Sequence, residues 1–153
     1  MIHDFIDRAK EEYVHEVTSL GGTIIYSLIG IVFLILGNFR VFFQLLFGIL
    51  AIFATVIIIK IFYFKNRPRK YKYSNFIEKI DASSFPSVHS ARSAFLAAVL
   101  TNYFKYFIIS AILAASVILV AYSRLVLKKH DLKDVLAGIA LGILIYFPIT
   151  FIY

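Results

Sequence analysis

Cysteine is absent from the 153 residues, which excludes disulfides and thiolate-ligated metal sites and leaves the redox compartment open. Charge is sparse too, at 16% Asp, Glu, Lys and Arg against 61% apolar residues, with a mean hydropathy of +0.85. A soluble domain carries roughly 45–50% apolar residues, so this chain has too little polar surface to coat a water-soluble globule. Acids are the scarcest charges. Of nine, five (Asp4, Asp7, Glu11, Glu12, Glu16) lie in the first twenty residues, leaving only Glu78, Asp81, Asp131 and Asp134 for the rest. A divalent-metal site that relies on several carboxylates is therefore not expected. The sequence shows no internal repeat and no low-complexity linker. No cleavable signal peptide is expected, because the first segment is acidic and the first long apolar run comes late.

What is present is a series of long apolar runs. A bilayer core of about 30 Å needs about 20 mostly apolar helical residues. Five segments qualify: Leu20 to Gly37, Val41 to Phe64, Ser87 to Phe104, Tyr106 to Tyr122 and Val135 to Tyr153. They predict an all-α integral membrane protein, a multi-pass bundle of about five transmembrane helices. Residues 20–153 form one core domain. Residues 1–19 are predicted as an amphipathic interfacial helix, with Ile2, Phe5, Ile6, Ala9, Tyr13 and Val17 at helical spacing. His3 and His15 in that segment read as surface histidines. Parity then places the N-terminal segment, the polar stretch Lys65 to Pro86 and the charged stretch Ser123 to Asp134 on one side of the membrane, with the C-terminus opposite. Gly138 and Gly142, with Ala91, Ala94, Ala97 and Ala98, supply the small residues that let membrane helices approach closely.

The net charge of +7 could signal nucleic acid or an anionic membrane. Here the cations flank apolar spans, which favours membrane and phosphate and argues against nucleic acid. Ionisable residues at span ends are expensive and mark functional sites. Lys60, His89 and Arg92 sit at span ends on the doubly charged side, and Arg67, Arg124, His130 and Asp134 join them from the two polar stretches. Two histidines among cations suit a phosphoryl group. Phosphoryl transfer without a metal ion needs a protein nucleophile. His130 and Asp134 stand four apart, so a helix would put them on one face, where a carboxylate on one imidazole nitrogen leaves the other free. His89 follows Pro86-Ser87 at a helix start, where Ser87 and Val88 can offer backbone N–H groups to an anion. These features do not decide which histidine attacks.

Taken in order, the residues form a pattern: Lys60, six residues, Arg67-Pro68; then Pro86-Ser87-Val88-His89; then Ser123-Arg124, five residues, His130, three residues, Asp134. This resembles the three-part signature of the type-2 phosphatidic acid phosphatase family, K-x6-R-P, P-S-G-H and S-R-x5-H-x3-D, within the lipid phosphate phosphatase and vanadium haloperoxidase-like superfamily. Val88 stands where the family has glycine. The larger family members also carry one more span before the core.

The resemblance implies a membrane lipid phosphatase that needs neither metal nor cofactor. In it, Lys60, Arg67, Arg124, Ser87 and the Val88 amide would hold the phosphoryl group. His130 would attack and form a phosphohistidine, Asp134 would orient it, and His89 would serve as acid and then as base. Arg92 would lie just behind this set. Lys65, Arg69, Lys70, Lys72, Lys79, Lys128, Lys129 and Lys133 fall outside the signature and are expected to be mostly solvated. The expected substrate is a lipid phosphate or diphosphate: a polyprenyl diphosphate, phosphatidic acid or phosphatidylglycerophosphate. A small membrane scaffold or transport component would explain the spans but not the ordered motifs, and haloperoxidase-like use of the site is typical of soluble proteins. The positive-inside rule would place the active end at the cytoplasm. A phosphate site requires those cations regardless, so the side stays open, as does the oligomeric state.

Overall fold

The computed structural model describes residues 13–14, 16–69 and 73–152. Regular structure among them is helical: α1 (Thr23–Ile35), α2 (Phe39–Phe62), α3 (Phe76–Ala82), α4 (Val88–Phe104), α5 (Phe107–Val126) and α6 (Leu132–Ile152). Residues 16–19 add one further turn. The interfacial helix expected over residues 1–19 lies mostly outside the described residues, as do His3 and His15. The all-α membrane bundle is the fold that forms.

At 1.5 Å per residue, α2, α5 and α6 reach about 36, 30 and 32 Å, enough to cross a hydrocarbon core. Their apolar windows have mean hydropathies of 2.8, 2.0 and 2.4. Side chains such as Leu50, Ile58, Ile118, Leu144 and Phe151 point outward on them, as lipid-facing helices require. The first span is shorter than its apolar run suggests. Gly21 and Gly22 turn back onto Thr18 and Ser19, so α1 begins only at Thr23, and Gly37 at φ +72 ends the following turn. Asn38 caps α2 by accepting from the Val41 N–H at 3.2 Å.

The least apolar span, α4, is the central one. Ser90, Ala91, Arg92, Ser93, Ala94 and Phe95 are all buried, packed between α2, α5 and α6. Polar residues within a membrane helix face protein, not lipid, and this helix has no lipid face over its first half. Glycines permit its close packing. A Cβ at Gly138 would strike the Ser87 carbonyl, one at Gly142 the Ala91 carbonyl, and one at Gly48 the ring of Phe95. The packing role read from Gly138 and Gly142 is thus the observed one. Around Phe95 the core gathers Leu45, Ile52, Val56, Val99 and Tyr26, whose hydroxyl donates to the Leu45 carbonyl at 2.8 Å.

Two expected boundaries shift. The charged stretch Ser123 to Asp134 is mostly helical rather than loop. Helix α5 continues through Val126 and α6 starts at Leu132, so only residues 127–131 connect them. Arg124 suits the negative C-terminal end of α5. Asp131 and Asp134 cap α6 reciprocally, each carboxylate accepting the other's N–H at 3.0 Å. The polar stretch after α2 is not featureless either. Asn75 accepts from the Glu78 N–H at 2.8 Å and starts the short helix α3.

Candidate active site

The parity argument holds in the fold, because the polar segments are joined by direct bonds at one end of the bundle. The Ser84 N–H donates to the Lys65 carbonyl at 2.8 Å, and the Arg69 N–H to the Lys128 carbonyl at 3.0 Å. The Thr18 and Ser123 hydroxyls lie 2.6 Å apart. Ser123 spends its single proton on the Val120 carbonyl, so Thr18 is the donor. Residues far apart in sequence thereby enclose a cavity of about 240 Å³.

The cavity walls come from every part of the pattern. Lys60 contributes from the last turn of α2 and Arg67 from the loop that follows. Val88, His89 and Arg92 come from the first turns of α4, Arg124 from the last turn of α5, and His130 from the α5–α6 connection. Both histidines therefore face one space. Lys60, Arg124 and His130 are buried, at 8%, 4% and 5% exposure. Burying cations in a membrane protein is costly unless an anion compensates them. Arg67 donates to the Asp81 carbonyl and lies 3.9 Å from the Asp81 carboxylate. Arg124 Nε, in contrast, is buried with no hydrogen-bond partner among the described residues.

His130 is oriented differently from the sequence expectation. Its Nδ1 lies 2.7 Å from the Ser84 carbonyl oxygen, whereas the Asp134 carboxylate is 4.0 Å from the same atom. A carbonyl can only accept, so Nδ1 carries the proton and Nε2 keeps a lone pair. Burial first, then the Arg124 charge, pushes the imidazole down to about 3, the Ser84 contact opposing. His130 is thus neutral at physiological pH. His130 precedes α6 rather than sharing a helical face with Asp134, so the expected four-residue pair meets at the 4.0 Å of an ion pair and not through a hydrogen bond.

Asp134, with no exposed surface, is held by a different group. Lys65 Nζ donates to Asp134 at 2.6 Å and to Asp131 at 2.5 Å. Its pKa is raised, burial lowering it while the bonds to Asp131 and Asp134 prevail. Asp131, held by Lys65 and the Asp134 and Lys133 amides, is lowered. Lys65 was grouped above with the solvated cations; the structure makes it the counterion of the site's two carboxylates. Ser87 also departs from expectation. It is fully buried, its N–H donates to the Asp134 carbonyl at 3.0 Å, and its hydroxyl caps α4 through Ser90. Its backbone donor is committed within the protein and does not line the cavity, whereas Val88 does. Arg92 is tied down by Nε and Nη2 bonds of 3.1 and 2.8 Å to the Gly21 carbonyl and by a contact to Thr23, and it stacks on Phe53 at 5.5 Å. It closes the cavity against the start of α1. Of the residues that sequence reasoning missed, Ser84 acts through a backbone carbonyl, which has no sequence signal. Lys65 was legible only as one lysine among many.

Among the described residues no three His, Cys, Asp or Glu side chains gather as a metal-binding group. The donor set is two imidazoles, one paired carboxylate and several cations, which fits a phosphoryl group.

No curated protein matches the chain. Among solved structures, LpxE of Aquifex aeolicus superposes with a TM-score of 0.77 at 22% identity, over 95% of this chain and 87% of that one. The transmembrane PAP2-type phosphatidylglycerolphosphate phosphatase of Bacillus subtilis does so with a TM-score of 0.60 at 24% identity, over 93% and 75%. At these identities the likeness establishes the fold. The sequence itself carries the family: the PAP2 superfamily profile matches residues 41–153, from α2 to the C-terminus. With the three motifs closing on one cavity in that fold, the chain belongs to the PAP2 superfamily.

Proposed function

We propose that this protein, a PAP2-type lipid-phosphate hydrolase, removes phosphate from a membrane lipid through a phosphohistidine on His130, without a metal ion. The observation that carries the reading is the buried, partnerless Arg124 Nε beside His130 and His89 in one cavity at the end of a membrane bundle. Lys60, Arg67 and Arg124 hold the phosphoryl oxygens, and the Val88 N–H at the start of α4 adds a backbone donor. Ser87, kept in the sequence expectation as a phosphate ligand, supports the site by fixing the start of α4 against α6.

His130 Nε2 attacks phosphorus in line, forming the N–P bond as the bond to the lipid oxygen breaks. His89 gives its proton to that oxygen, releasing the lipid alcohol from a monoester or the lipid monophosphate from a diphosphate. The phosphorylated ring carries positive charge, which the Ser84 carbonyl and the Asp134 carboxylate stabilise. His89 then takes a proton from water, the hydroxide attacks phosphorus, and inorganic phosphate leaves with restoration of His130. A lipid supplies this chemistry naturally, since its phosphate can reach the cavity while its chains stay in the bilayer. Polyprenyl diphosphates, phosphatidic acid and phosphatidylglycerophosphate are the substrate candidates, and the likeness to the phosphatidylglycerolphosphate phosphatase of Bacillus subtilis supports the last. On this reading the protein works as a multi-pass protein of the cell membrane.

The test is phosphate release from these three lipids by purified protein with a chelator present, alongside an alkaline quench that looks for a phosphoenzyme stable in base and labile in acid. Turnover is expected to survive the chelator, to be inhibited by vanadate, and to vanish in His130→Ala together with the phosphoenzyme. Activity that persists in His130→Ala, or that is lost to the chelator, would exclude the mechanism.

A further inference from the structure

A second polar cavity, of about 270 Å³, lies at the other end of the bundle. Gln44 lines it, and Gln44 stands about 24 Å from Lys60 along α2 at 1.5 Å per residue, so the two cavities belong to opposite membrane faces. Arg40 and Lys105 form its rim, with Asn38 and Asn102 beside them.

Three observations point to an anion there. Gln44 is 4% exposed, yet its amide makes no hydrogen bond among the described residues. What little surface Gln44 keeps lies on the cavity, where its amide can meet a ligand. The first turn of α2 carries Arg40 and no acid, although the positive end of a helix dipole favours an anion there. Finally, the described acids, Glu16, Glu78, Asp81, Asp131 and Asp134, all belong to the opposite end of the chain's path. Among the described residues neither Arg40 nor Lys105 pairs with a carboxylate. Aromatic side chains at this level, Phe39, Tyr103, Tyr106 and Phe107, are exposed, as at a membrane–water boundary. The cavity therefore sits at headgroup depth.

We propose that this cavity binds the phosphate of an anionic phospholipid in the leaflet opposite the catalytic end. Arg40 and Lys105 neutralise the phosphodiester. The Gln44 amide donates to one of its oxygens, and the free N–H groups at the start of α2 face the same charge. The site is independent of the hydrolytic reading, since none of its residues touches the catalytic cavity.

The experiment compares retention of phosphatidylglycerol and phosphatidylcholine by the detergent-solubilised protein in native mass spectrometry. Wild type is expected to retain phosphatidylglycerol preferentially. Arg40→Gln/Lys105→Gln should lower that retention by about tenfold or more, the equivalent of one or two charge-assisted contacts. Gln44→Leu, which keeps both charges and suits a buried position, should lower it several-fold with an unchanged thermal melt. Arg124→Gln, at the other end, should leave it intact. No preference for phosphatidylglycerol, or a preference that disappears in Arg124→Gln and survives in the other variants, overturns the proposal. So does binding of inorganic phosphate alone, followed by phosphorus NMR, in a protein that retains no phosphatidylglycerol.

Discussion

Replacing Lys65 by methionine separates the two roles of the charge network. Lys65 is a quarter exposed and pairs with Asp134, which is fully buried. Removing one partner of a fully buried pair costs about 3–5 kcal/mol; water reaching Lys65 reduces the expected loss to about 2 kcal/mol. The more diagnostic effect falls on His130. Asp134 lies 4.0 Å from His130 Nδ1, and its charge is now compensated by Lys65. The other groups facing the imidazole are the Arg124, Arg67 and Lys60 cations and the Ser84 carbonyl, together with His89 across the cavity. At 4 Å and an effective dielectric near 20, two unit charges interact by about 4 kcal/mol, or about three pKa units. Part of that is already felt in the native protein, so Lys65→Met should raise the His130 pKa by about one unit or more. In the proposed mechanism neutral His130 attacks, so activity is lost as pH falls through its pKa. The acid limb of the kcat–pH profile should therefore move to higher pH in Lys65→Met. It should return in Lys65→Arg and in Lys65→Met/Asp134→Asn, which removes the uncompensated charge. Phosphate release across the acid range is the assay. An acid limb that stays in place in Lys65→Met would refute the reasoning, since a purely structural lysine would lower expression or melting temperature without moving it.

Four further outcomes follow from the same geometry. His130 is held at about 3 in the fold against an ordinary 6.5, so the unfolded chain binds more protons between these values. Its stabilising contribution is complete above 6.5 and is lost as pH falls towards 3, and His130→Gln should flatten that part of a melting-temperature profile. Arg124→Gln should reduce kcat/KM by roughly ten- to a hundredfold, the range of one hydrogen bond to a charged group, measured on the best lipid of the panel. Gly142→Ala places a methyl against the Ala91 carbonyl and should cost about 1–3 kcal/mol, read as a lower melting temperature in detergent. Val88→Gly should leave the cavity's charges in place and change kcat/KM less than Arg124→Gln, because in the proposed mechanism Val88 offers the phosphate only its N–H.

The sequence by itself determined the class of fold and the identity of the charged set. Apolar runs of about 20 residues admit few alternatives to membrane helices, because every backbone group in lipid must be bonded within the segment. Counting crossings then brought Lys60, Arg67, His89, Arg124 and His130 to one end, where the structure places them around one cavity. Boundaries were less legible. Ser123, Arg124 and Asp134 read as loop because they are polar, yet helix ends welcome such residues: a cation near the C-terminus of α5, a carboxylate in the first turn of α6.

Only the tertiary structure decided the pairings. Spacing suggested His130 with Asp134, but the imidazole is bonded to the Ser84 carbonyl and the carboxylate to Lys65. Ser84 and Lys65 are brought there by the loop after α2 folding back on the segment before α4. A backbone carbonyl has the same chemistry at every residue, and a lysine's long side chain reaches several partners, so neither choice is written in residue types. Pattern selects which groups meet at a membrane face; the path of the connecting loops selects which atoms bond.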